Sequence, residues 1–307
     1  MYVITGGSGY VGARAAERLL EEVPADQLIM TSRNPGALQA FADRGVTVRQ
    51  ADFRDLEQTT EAFRGGTRLL MISTMEVGAE RRQQHSNAIE AARRAGVSYI
   101  AYTSYLGTDD PTNDAFVVHD HRHTEQAIAA SGLSWNVMRN SQYADAMAVE
   151  HAAMSLVTGR SIGNAGDGAV GFVARDDVAA VAAALLLGRG EPDRGYDVTG
   201  PELLTQRQVG ELIAEISGVP LEIVDLSDEE MYAMWDAAGV PREATDDFSN
   251  SPVPWCSHDM VTFGEAIREG RMARLSDTVE RLTGRPGRTM REVMVEVSAN
   301  WPVPDRA

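Results

Sequence analysis

The chain has 307 residues, 43% hydrophobic and 24% charged, a composition that fits one large or two modest globular domains and excludes a disordered chain. A formal charge of −17 repels phosphate backbones, so no nucleic-acid partner is expected. The single cysteine, Cys256, excludes an internal disulfide, and the complete absence of lysine excludes Schiff-base chemistry and a P-loop lysine.

The opening Met-Tyr-Val-Ile-Thr-Gly-Gly lacks the basic and apolar regions of a leader, and the longest apolar run, 178–187, is too short to span a bilayer. A cytoplasmic protein with no membrane partner is expected. In chain order, 2–5 is a β-branched run that stops at Gly6-Gly7, and 9–22 carries Val11, Ala15, Leu19 and Leu20 at helical spacing. Strands follow at 27–31, 46–49, 68–72, 97–103 and 133–138, separated by helices at 37–43, 56–63, 80–95 and one ending near 130. This alternation predicts an α/β fold, a Rossmann-type doubly wound parallel sheet with right-handed crossovers.

Past residue 140 the rhythm loosens. A helix is expected at 144–157, glycine-rich turns at 159–171, a hydrophobic helix at 175–187 and a further strand at 196–199. Capping-box spacing at Thr205…Gln208 and Ser227…Glu230 marks two helix starts. A long polar, proline-containing loop spans 239–256, and helices at 260–269, 277–282 and 289–297 close the chain. Residues 1–155 are expected to form the nucleotide-binding domain. Residues 156–307 are mainly a smaller, helix-rich substrate lobe, with about 170–200 returning to the first domain.

The first turn, Gly6-Gly7-Ser8-Gly9-Tyr10-Val11-Gly12, places Gly6-x-x-Gly9-x-x-Gly12 between a strand and a helix. Glycine there lets the backbone approach a pyrophosphate, and the helix N-terminus offers free N–H groups and partial positive charge. Gly6, Ser8, Gly9, Tyr10, Val11 and Gly12 are therefore candidate cofactor contacts. NAD binding places an acid at the end of the second strand, on the ribose 2′-hydroxyl. Here that end reads Met30-Thr31-Ser32-Arg33-Asn34, and Arg33 can pair with a 2′-phosphate, so NADP(H) is the expected cofactor. Asp52 and Phe53 fall where an adenine ring would end.

With these residues in hand, the chain resembles the NmrA-like group of atypical short-chain dehydrogenase/reductases, and within it the bacterial quinone oxidoreductases and triphenylmethane reductases. The resemblance rests on Thr5 to Gly12, Arg33-Asn34-Pro35, Val46 to Phe53, Leu69-Leu70-Met71-Ile72-Ser73 and Ile100-Ala101-Tyr102-Thr103-Ser104. His121-x-x-Thr124-Glu125, Met138-Arg139-Asn140 and Ala165-Gly166-Asp167-Gly168 extend it over most of the chain. Short-chain dehydrogenases commonly use a Tyr-x-x-x-Lys pair, which this chain cannot form. With Glu125 aligned to the acid that often follows that pair, Val117 takes the tyrosine position and His121 the lysine position. The resemblance implies a place for His121 beside the cofactor's ribose and nicotinamide.

His119, His121 and His123 do not converge on a helix, because residues two apart point roughly 200° apart, so no metal site is expected. Strand ends nominate Ser73, Thr103 and Asn140 beside the nicotinamide, and Tyr105 and Tyr143, with His121, as candidate catalytic groups. Met147, Met154, Met231, Trp235, Phe248 and Trp255 suit a planar aromatic acceptor. The leading expectation is an NADPH-dependent reductase of a quinone-like or other conjugated aromatic substrate, with a homodimer compatible with the chain. A carbonyl or enone reductase using a different acid, and a non-catalytic NADP(H)-binding redox sensor, are the alternatives.

Overall fold

The computed structural model of the protein describes residues 1–245, 248–253 and 255–302. The expected loop over 239–256 therefore lies partly outside the described residues. Strands and helices alternate from the start: β1 (Tyr2–Ile4), α1 (Tyr10–Leu20), β2 (Leu28–Ser32), α2 (Gln39–Ala42), β3 (Thr47–Gln50) and α3 (Leu56–Phe63). Next come β4 (Arg68–Met71), α4 (Ala79–Ala95), β5 (Tyr99–Tyr105), α5 (Phe116–Ala130) and β6 (Ser134–Asn140). The chain then forms α6 (Ala144–Ala146), a π-helical turn (Met147–His151) and α7 (Ala152–Thr158). It continues through β7 (Arg160–Gly163), β8 (Ala169–Val170), α8 (Arg175–Leu186), β9 (Arg194–Val198) and β10 (Leu204–Thr205). The last elements are α9 (Gln206–Ser217), β11 (Glu222–Asp225), α10 (Asp228–Ala237), α11 (Ser257–Arg268), α12 (Thr278–Thr283) and α13 (Met290–Val297).

A seven-stranded parallel sheet in the order β3-β2-β1-β4-β5-β6-β9 is the centre of the fold. Its central strands β2, β4 and β5 are buried on both faces, as a sheet covered by helices requires, whereas the edge strands β3 and β9 carry exposed polar residues. Side chains alternate between the two cores. Ile4, Leu28, Met30 and Leu70 pack with α1 and α8, whereas Val3, Ile29, Leu69, Met71 and Ile100 pack towards α3 and α4. A third apolar cluster joins Tyr105, the last residue of β5, and the following Leu106 to α7, α9, α11 and α13. No described helix is long and apolar enough to cross a membrane.

Both expected capping boxes form, at Thr205–Gln208 and Ser227–Glu230, and a third, Thr289–Glu292, starts α13. The segment 159–171 differs from expectation. It contains β7, paired in parallel with β11, and β8, paired antiparallel with β10. Its glycines mark close approach of neighbouring elements as well as turns. A Cβ on Gly168 would lie 2.1 Å from the Ile267 carbonyl oxygen, and one on Gly163 would lie 1.7 Å from Gln206 Oε1.

Candidate functional site

The strand order reverses between β1 and β4, and open α/β sheets bind ligands beyond the carboxyl ends of strands at such a point. A cleft of about 270 Å³ opens there, lined by Gly6, Ser8, Gly9, Arg33, Asp52, Phe53 and Ser73 among others. Gly6 is in the left-handed region (φ 59°) and its carbonyl accepts from Gly9 N–H at 2.9 Å, which closes the turn. Gly12 packs directly behind it, since a Cβ there would lie 2.4 Å from the Gly6 oxygen. Gly9 caps α1 with no side-chain hydrogen bond, so the N–H groups of Tyr10, Val11 and Gly12 remain for a ligand. The Tyr10 ring does not face the cleft in isolation; the Arg175 guanidinium lies over it, 4.8 Å from the centroid. Ser8 Oγ and Ser32 Oγ are 2.9 Å apart, which ties the turn to the end of β2.

Arg33 follows β2 and is mostly exposed, reaching Glu76 Oε1 at 3.4 Å. The same carboxylate accepts from Arg54 at 2.9 Å, and Arg54 also pairs with Glu80. Burial acts to raise the Glu76 carboxyl, but backbone hydrogen bonding, Arg54 and Arg33 hold it below its ordinary value. Two guanidinium groups thus share one carboxylate at the cleft mouth, a cation pair suited to a 2′-phosphate. Arg54 had no recognisable sequence signal, because it belongs to the turn after β3 whose Asp52 Oδ1 accepts its backbone N–H at 3.0 Å. Phe53 is buried edge-on to Phe63, at 6.5 Å between centroids, and so supplies a fixed apolar wall. A dinucleotide fits these residues: a turn without side chains, unpaired N–H groups for a pyrophosphate, and cations for a further phosphate.

The remaining candidates form a second group, continuous with the cleft through Ser73. Ser73 N–H donates to Thr103 Oγ1 at 2.8 Å, so Thr103 is buried as a brace between β4 and β5. Tyr105 and Asn140 are register partners at the ends of β5 and β6, and Asn140 Nδ2 lies 3.5 Å from the Tyr143 hydroxyl. Tyr105 stacks on His121 at 6.2 Å and 30° between planes. His119 and His123 point outward from the same helix, and Met154 is 64% exposed, which removes it from any acceptor wall. Trp235 and Trp255 meet edge-on at 5.0 Å.

His121 belongs to a buried network that sequence reading missed. Thr74 N–H donates to His85 Nε2 at 3.1 Å, so the His85 proton sits on Nδ1, 2.9 Å from Thr124 Oγ1. Thr124 in turn donates to the Asp120 carbonyl at 2.9 Å. The Tyr102 hydroxyl lies 2.7 Å from His121 Nδ1 and 3.4 Å from His85 Nδ1, and so joins the two imidazoles. Burial, then Arg81 and its neighbouring histidine, hold His121 well below its ordinary value, and His85 falls to about 3. His121 is therefore a neutral imidazole offering one N–H. Burial raises the phenols of Tyr105 and Tyr143. Tyr102→Phe should cost about 1–3 kcal/mol of stability by leaving His121 Nδ1 unpaired, measurable by urea denaturation. An unchanged midpoint would show that the hydrogen bond contributes nothing.

Glu125, in the motif shared with the reductases, is also held in place. It accepts from Ser104, from Thr108 at 2.6 Å and from Arg139 at 2.8 Å, so it joins α5 to the ends of β5 and β6. Asp120 anchors the loop after β4 in the same way, accepting from Gly78 N–H at 2.7 Å and pairing with Arg82 at 2.5 Å. Among the described residues no group of three metal-ligating side chains converges.

A family model for NAD(P)H-binding proteins matches residues 6–188. Quinone oxidoreductase 2 of Escherichia coli (strain K12) is 35% identical over 292 residues, covering 95% of this chain and 96% of that protein. Among solved structures, the NADPH-dependent quinone oxidoreductase of Escherichia coli complexed with NADPH gives a TM-score of 0.87 at 33% identity, covering 97% of this chain and 100% of that one. The Citrobacter sp. triphenylmethane reductase complexed with NADP(H) gives 0.85 at 29% identity, covering 96% of this chain and 99% of that one.

Proposed function

This chain belongs to the NAD(P)H-binding family and is an NAD(P)H-dependent oxidoreductase, and we propose that it reduces a quinone-like or other conjugated aromatic acceptor with NADPH. The observation that carries the reading is the neutral, buried group at the strand ends, Tyr105 stacked on His121 beside Asn140 and Tyr143. Bound NADPH supplies the hydride. The protein supplies position: the glycine turn holds the pyrophosphate, Arg33 and Arg54 hold the 2′-phosphate, and the neutral group at the strand ends orients the acceptor. The names of the similar quinone and dye reductases support the acceptor class. A conjugated acceptor spreads developing charge over its π-system, which suits a site without a Tyr–Lys pair. NADPH oxidation with a panel of quinones, set against simple ketones, tests the reading; turnover of ketones without quinones would overturn it.

Two predictions belong to this site. Arg33→Ala should weaken NADPH binding about 10–150-fold, the loss of one hydrogen bond to a charged group, and leave NADH binding nearly unchanged. Calorimetry with both cofactors checks it, and equal losses would remove the 2′-phosphate role. His121→Ala, Tyr105→Phe and Tyr143→Phe should each lower kcat by at most about tenfold, because none of the three is poised to give up a proton near neutral pH, whereas losing a true general acid costs about 10²–10⁴-fold. A thousandfold loss in one of them, with cofactor binding intact, would contradict this.

A further inference from the structure

Reduction of a quinone consumes two electrons and two protons, and a hydride brings both electrons but one proton. The second proton needs a source, and the groups around Tyr105 and His121 are poor ones. Across from them, in the first turn of α11, Asp259 is buried, 5% exposed, and its Oδ1 has no hydrogen-bond partner. A buried polar atom left unpaired in a native fold calls for a reason, a bound ligand among them. One turn further along the same helix face, Phe263 packs edge-on against Tyr105, with centroids 5.2 Å apart. The Tyr105 hydroxyl is likewise buried, next to the Gln142 side chain. Asp259 thus sits on a helix that the Phe263–Tyr105 contact joins to the end of β5, and its unpaired oxygen lies close enough to raise the Tyr105 phenol.

We propose that Asp259 is the proton donor to the acceptor oxygen, an assignment that rests on the quinone-like acceptor proposed above. As the hydride adds to the conjugated system, the Asp259 O–H bond breaks and a new O–H bond forms on the acceptor oxygen. The hydroquinone leaves neutral, and water returns a proton to the carboxylate. Burial pushes the Asp259 carboxyl up to about 6, with Arg81 lowering it and Asp120 raising it. Its other titratable surroundings are Tyr105 of β5, Cys256 at the start of its own helix and the adjoining His258. A carboxyl in that range holds and regains a proton near neutral pH, which the buried Tyr105 phenol and His121 imidazole do not.

A cationic triarylmethane dye separates proton delivery from hydride transfer, because a carbocation that takes a hydride becomes neutral and needs no proton. Asp259→Asn should lower kcat for a benzoquinone about 10²-fold or more and leave kcat for the cationic dye unchanged. In the unaltered protein, kcat for the quinone should fall as pH rises through about 6 while the dye profile stays flat. An infrared difference titration without cofactor or substrate should show a carboxyl band that disappears through the same pH range and is missing from Asp259→Asn. Unchanged quinone turnover in Asp259→Asn, an equal loss with the dye, or matching pH profiles for the two acceptors in the unaltered protein would overturn the assignment alone. Failure of the unaltered protein to reduce any quinone would overturn the acceptor reading and the assignment with it.

Discussion

Replacing Gly9 by valine is expected to lower NADPH affinity about 10²–10⁴-fold and leave the fold intact. The expected loss corresponds to two hydrogen bonds from backbone N–H groups to a charged pyrophosphate, about 1.5–3 kcal/mol each. Gly9 has φ −84°, an ordinary value for any residue, so valine brings no left-handed strain. The nearest atom to an added Cβ is the Gly6 oxygen at 3.3 Å, a tight contact that a small shift of the turn relieves. The branched methyls then occupy the space in front of Tyr10, Val11 and Gly12, where the pyrophosphate must meet the helix N-terminus. Gly12 is the contrasting position. Its Cβ would lie 2.4 Å from a backbone oxygen, so Gly12→Val should cost stability as well as binding. Calorimetry for binding and circular dichroism for folding separate the two. A folded Gly9→Val protein that keeps NADPH affinity within about tenfold would show that the turn serves packing alone.

The glycine turn and Arg33 were legible because each depends on chain neighbours. Residues 2–12 spell strand, turn and helix, and Arg33 follows directly on the second strand. The sheet was legible for the same reason, since six strands alternate with helices within the first 140 residues. What escaped the sequence depends on contacts between distant segments. Tyr102 lies in a strand already recognised, but nothing local shows that its hydroxyl meets His121, 19 residues on. His85 reads as one polar residue in a charged helix, and becomes a buried acceptor only because α4 folds its face against the loop after β4. Asp259 stands just before the helix expected at 260–269, and nothing in the sequence singles it out. Its burial requires α11 to pack on α5, where Thr262 Oγ1 accepts from Phe116 N–H at 3.2 Å across 146 residues. The short strands β7 and β8 were hidden because a glycine-rich segment fits turns and close packing equally well.

The buried histidines also predict that the fold weakens in acid. His85 has an ordinary value of 6.5 in the unfolded chain and about 3 in the fold, from burial first and then Arg81 and His123. Below 6.5 the unfolded chain takes up a proton that the folded chain refuses, so the free energy of unfolding drops as pH falls. For His85 alone the loss between about pH 7 and pH 5 is ~2 kcal/mol. His121, held well below 6.5, and His151, lowered by burial, act in the same sense. Asp259 acts in the opposite sense: the fold takes up its proton at about 6, above the ordinary 3.8, and gains ~1 kcal/mol over that interval. Urea denaturation at the two pH values should therefore show a net loss in the unaltered protein. His85→Gln should shrink the loss by ~2 kcal/mol, and Asp259→Asn should enlarge it by ~1 kcal/mol. A His85→Gln protein with the same pH dependence as the unaltered one would mean that His85 takes up its proton in the fold at its ordinary value, 6.5. In that state Nε2 could no longer accept from Thr74 N–H, and the hydrogen-bond pattern that leaves His121 neutral would have to be redrawn.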